Sequence, residues 1–132
     1  MIQLRVFTVH EANGLIPELT RLVRLLRAKK EEISKKEVEI DALELVLDEA
    51  SEKGPETLQR EIEVLNQLIL DFNTTVDQIH GLGCFLKDVD TGLIDFYTVI
   101  EGRVVYLCWK FGEEKVQHWH EIGQGFSSRQ PL

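Results

Sequence analysis

The sequence predicts an α+β fold: a long antiparallel helical hairpin with a kinked first helix, followed by a small antiparallel sheet of three or four strands. Three observations carry this expectation. Through the first 80 residues, apolar side chains recur in steps of four and three, the spacing that lines one side of a helix. Gly54-Pro55 breaks that pattern between its two halves. From Cys84 onward the period drops to two, the alternation of a strand. At 132 residues the chain suits one domain, with the hairpin over 9–80 and the β-region over 84–132.

Each element has its own local cause. Residues 3–7 alternate polar and apolar and read as a short strand. Thr8 and Glu11 form a capping-box pair, so a helix starts at residue 9. Pro17 lacks an amide hydrogen and crowds the preceding turn, which predicts the kink. Leu15, Leu19, Leu22, Leu26, Ile33, Ile40, Leu43 and Leu47 then continue the seam to about residue 50. Lys29 and Lys36 interrupt it, as isolated lysines do where register is being set. The second helix, 56–80, carries a regular seam of Leu58, Ile62, Leu65, Ile69, Phe72, Val76 and Ile79, ended by Gly81 and Gly83.

Helix 9–50 would be about 63 Å long and helix 56–80 about 37 Å. An antiparallel pairing therefore leaves residues 9–25 without a helical partner, and the β-region is their natural cover. Strands are expected at 84–87, 93–100 and 103–109, with turns at Asp90-Thr91-Gly92 and Glu101-Gly102. The tail, 116–132, contains Trp119, Phe126, Gly123, Gly125 and Pro131 and would wrap back over the sheet.

Composition excludes several classes. Apolar residues make up 43% and charged residues 29%, enough to form a core. A net charge of −8 argues against nucleic acid as a partner, because a polyanion needs a basic face. No run approaches a membrane span or the apolar core of a signal peptide. Cys84 and Cys108 are too few for a disulfide framework, so a cytoplasmic location with reduced thiols is expected.

A wider combination of residues resembles a known family. It comprises Phe7-Thr8, Glu11-Ala12-Asn13, Leu15 and Pro17; Lys87-Asp88 with Thr91-Gly92-Leu93 and Asp95-Phe96; Leu107-Cys108-Trp109 with Gly112-Glu113; Trp119-His120-Glu121; and Gly125-Phe126, Arg129 and Pro131-Leu132. Together these resemble a small bacterial family, domain of unknown function 2203. The resemblance spans nearly the whole chain, with residues 28–75 matching only in helical character. It implies that the recognisable motifs gather in the first helical turns and the β-region rather than in the hairpin arm.

Three constellations there have chemical potential. Cys108, His118, His120, Glu113 and Glu121, with Asp95 as a further oxygen donor, offer ligand types suited to zinc or iron. On an extended strand, His118 and His120 would face the same way. None of the compact zinc spacings is present, and the alternative is a surface His118 beside a packed, hydrogen-bonded His120. Arg103 and Arg129, among Trp109, Trp119, Tyr97 and Phe126, would suit a small anionic ligand or a peptide; the alternative is internal salt bridges. Residues 88–95 contain spaced acids and a glycine but miss the calcium-loop positions. They read instead as a turn capped by Asp90. For nucleophilic catalysis there is little: both cysteines lie in apolar strand contexts, and Ser127-Ser128 has no elbow motif.

The two helical seams, with Val23, Val38, Leu45, Val46, Val64, Leu68 and Leu70 beside them, exceed what one helix pair can bury. The reading is therefore a non-catalytic module that forms homo-oligomers through its hairpin. The alternative is a protein that binds a metal or small ligand in the β-region.

Overall fold

The computed structural model describes residues 5–47 and 53–132. Helix α1 is Val9–Val46 and helix α2 is Gly54–Gly81. Five strands follow: β1 Phe85–Asp88, β2 Leu93–Ile100, β3 Arg103–Lys110, β4 His118–His120 and β5 Gln130–Pro131. They form one antiparallel sheet in sequence order. The α+β hairpin-and-sheet architecture is the expected one, with five strands instead of three or four. The extra strands are three and two residues long, too short to leave a periodic signature.

The start of α1 has the predicted chemistry. The Glu11 amide donates to Thr8 Oγ1 at 3.0 Å, and the Thr8 amide donates to Glu11 Oε1 at 2.9 Å. The helix is continuous across Pro17 and is closed by Leu47; the rest of its predicted length, 48–50, lies outside the described residues. Of the strand expected at 3–7, the described part forms a single parallel bridge, Val6 to Tyr97, with the Phe7 amide donating to the Tyr97 carbonyl. No helix among the described residues is long and apolar enough to cross a membrane.

One core holds the molecule together at the sheet end. Ile16, Leu19, Leu22, Val23 and Leu26 of α1 pack with Phe7, Ile79 and Cys84, and with Ile94, Phe96, Leu107 and Trp109 of the sheet. This is the cover expected for the unpaired start of α1. Gly92 belongs to the same junction: its φ is +66°, and a Cβ there would run into the Phe111 side chain. The β2–β3 hairpin closes through Glu101 (φ 51°) and Gly102 (φ 76°), the paired left-handed residues of a two-residue turn.

The arm is different. Ile40 is buried, but Ile33, Leu43, Leu58, Ile62 and Leu65 are only half-buried. Lys36 crosses the seam, its Nζ lying 2.7 Å from Glu61 of α2 and 2.7 Å from Glu39 of its own helix. The lysine that interrupts the apolar repeat is thus an interhelical tie.

Candidate metal centre

The sheet has two faces, and register assigns every side chain to one of them. Ile94 and Phe96 lie opposite Trp109 and Leu107 and face α1. The intervening residues face away from the helices. There, Asp95 pairs with Cys108 across β2 and β3, and Cys108 pairs with His118 across β3 and β4. One step along, Tyr97, Tyr106 and His120 form a second transverse row. Tyr97 and Tyr106 stack at 5.0 Å, and His120 lies against Tyr106 at 5.3 Å between ring centroids.

Asp95, Cys108 and His120 converge on this outer face. One donor atom from each lies within 4.8 Å of the others, and all three residues are buried, at 2%, 0% and 1% exposure. The Asp95 Oδ2 to His120 Nε2 distance is 3.1 Å, and His120 Nδ1 lies 2.9 Å from the Glu121 carbonyl oxygen. A carbonyl can only accept, so Nδ1 carries a proton. Nε2 then faces a carboxylate, which also only accepts when ionised. The pair needs a second proton between Nε2 and Oδ2, or a cation in its place. The other Asp95 oxygen, Oδ1, is buried without a hydrogen-bond partner.

The thiol of Cys108 is not prepared for nucleophilic attack. Burial, reinforced by the Asp95 carboxylate, pushes it up to about 12, although the Arg129 guanidinium beside it pulls the other way. Both nitrogens of His120 are engaged elsewhere, so neither is available as a base for the sulfur. Cys84 is pushed up to about 12 by the same burial and donates to the Ile79 carbonyl. It behaves as core.

Of the remaining predicted ligands, the two glutamates have other partners. Glu121 points away from the cluster and pairs with Arg103 at 2.7 Å; only its backbone carbonyl serves the site. Glu113 is held by the Lys110 amide and by both Arg129 Nη atoms, at 2.9 and 3.1 Å. Burial raises its pKa, but these hydrogen bonds outweigh that and hold it below the ordinary glutamate value. His118 Nδ1 is 3.7 Å from Glu113 Oε2, too far for a hydrogen bond, and is buried without a partner.

The expected anion pocket does not assemble from Arg103, Arg129, Trp109 and Trp119. Each guanidinium is neutralised by its own glutamate. Trp109 and Trp119 lie on the helix-facing side, and the Trp109 indole donates to the Glu113 carbonyl. The turn before β2 also differs from expectation in its cap. Asp88, not Asp90, accepts from the Thr91 amide and hydroxyl, which lowers its pKa. Asp90 reaches across to Lys30.

Asp95, considered from the sequence only as a further oxygen donor, had a clear local signal: a carboxylate inside the mainly apolar run Leu93 to Ile100. The Glu113–Arg129 lock joins positions 16 residues apart and had no local signal.

The chain belongs to the family described as uncharacterized conserved protein (DUF2203), which matches residues 5–132. No curated protein and no solved structure matches it.

Proposed function

We propose that this protein binds a divalent transition metal, zinc or iron, through Asp95, Cys108 and His120 on the outer face of the sheet. The Asp95–His120 contact carries the reading. A buried imidazole whose Nδ1–H is fixed by a carbonyl presents its Nε2 lone pair, which is how a ligating histidine is oriented. Facing a carboxylate, that lone pair is poorly matched unless a proton or a metal stands between them. Thiolate, imidazole and carboxylate together suit zinc and iron better than calcium or magnesium. Tetrahedral zinc holds its ligand atoms roughly 3.3–3.8 Å apart. The donors here lie within 4.8 Å, so only small side-chain movements would be needed. Two negative ligands would balance a divalent ion, and the adjacent Arg129 is already balanced by Glu113.

The test is elemental analysis of untagged, chelator-free protein alongside a Cys108→Ser, His120→Ala double variant. Near-stoichiometric metal in the wild type and its loss in the folded variant is the expected result. Wild-type protein that neither carries metal nor gains thermal stability with added zinc or ferrous iron would refute the reading.

A second reading concerns the arm, and its proposed partner is another copy of this chain. Val38, Ala42 and Leu45 lie one helical turn apart on a face of α1 turned away from the α2 seam. Val38 and Leu45 are 68% and 88% exposed. Sedimentation across a wide concentration range decides it: a dimer dissociated by Leu45→Lys supports self-association, and a monomer throughout excludes it.

A further inference from the structure

Resting on the metal reading above, we infer that His118 is the fourth protein ligand, making the centre a closed, structural site with no coordination position left for a substrate. Among the described residues, two buried side-chain polar atoms lack any hydrogen-bond partner: Asp95 Oδ1 and His118 Nδ1. Both belong to the outer face, and both lie in the row Asp95–Cys108–His118 that crosses β2, β3 and β4. Buried polar atoms are nearly always paired, so two orphans in one row mark a place where a partner is expected.

His118 and His120 stand two residues apart on β4, and the strand pleat points both imidazoles to the face that carries Cys108. His118 is directly opposite Cys108 in the β3–β4 register, on the strand that also carries His120, although its ring lies outside the 4.8 Å cluster of the other three donors. Turning it toward the sulfur breaks no hydrogen bond at Nδ1. Glu113, 3.7 Å away, is already satisfied by Arg129 and the Lys110 amide, so it does not need His118.

A tetrad of one carboxylate, one thiolate and two imidazoles fills a tetrahedral ion. The metal would then tie the three-residue strand β4 to β2 as well as β3, adding to the short backbone pairing that β4 makes with β3. Its role would be to hold the sheet together rather than to activate water.

The experiment measures zinc affinity by chelator competition, and cobalt(II) absorption, for full-length wild type, His118→Ala and His118→Asn. Circular dichroism checks that each variant folds. If the inference holds, both variants lose tenfold or more in zinc affinity. The intense visible bands of four-coordinate cobalt, present in the wild type, weaken in both. Zinc also raises the wild-type Tm by more than it raises theirs. Unchanged affinity and an unchanged cobalt spectrum in both folded variants would overturn the tetrad and leave a three-ligand open site. Absence of any metal binding by the wild type would overturn the site itself.

Discussion

The two ends of this molecule are built from the same helices but are held by different means. At the sheet end, α1 places Leu19, Leu22, Val23 and Leu26 at or below 1% exposure against a five-stranded sheet. Along the arm, the same helix meets only α2, and its seam residues stay half-buried apart from Ile40. Two helices alone cannot enclose a core, because each seam residue keeps a flank open to water. The arm is therefore a projection supported by the sheet end, and the buried polar chemistry lies where water is excluded.

Substitutions can test this contrast. The largest effect belongs to the sheet end: Phe96→Ala, at a fully buried residue that meets Phe7 edge-on, should cost about 3–5 kcal/mol in chemical denaturation. Ile40→Ala, the best-buried apolar position of the arm, should cost about 2 kcal/mol, since water can reach the space left behind. Equal losses at the two sites would contradict the distinction.

Thr8→Ala removes the cap at the point where α1 joins the sheet end and should cost about 1 kcal/mol. The same cap predicts a pH effect. Hydrogen bonds from the Thr8 amide and hydroxyl lower the Glu11 pKa, so the fold stabilises its ionised form. That contribution is present above the ordinary glutamate value and is lost as pH falls through the lowered one. Thermal melts of Glu11→Gln should therefore lie below wild type at neutral pH and converge on it as pH falls below the ordinary glutamate value. A gap that stays constant with pH would assign the cap's effect to packing. The smallest effect is expected at Val38→Ser, on the exposed side of the arm, where a monomer should change by no more than about 0.5 kcal/mol.

Much of the fold was legible in the chain because its signals are local. The capping box sits within four residues, the helical seams repeat every turn, and the Glu101-Gly102 turn lies between two alternating runs. The unpartnered start of α1 could be deduced from helix lengths alone. The site was legible in part. Cys108 and His120 were candidate ligands, and they do approach each other. Glu121 sits next to His120 in sequence and yet faces the other way, toward Arg103.

By itself, then, the sequence determined the element types, the hairpin, the strand-period switch and the region that holds the candidate ligand residues. Tertiary structure decided the rest. Whether Asp95, Cys108 and His120 share one face depends on the register of three strands, and a slip of one residue would turn each side chain to the opposite side. The Glu101-Gly102 turn sets the β2–β3 register locally, but the register of β4 on β3 and the choice of face depend on long-range packing of Ile94, Phe96, Leu107 and Trp109 under α1. No run of neighbouring residues encodes that packing, so the site exists only once the core has formed.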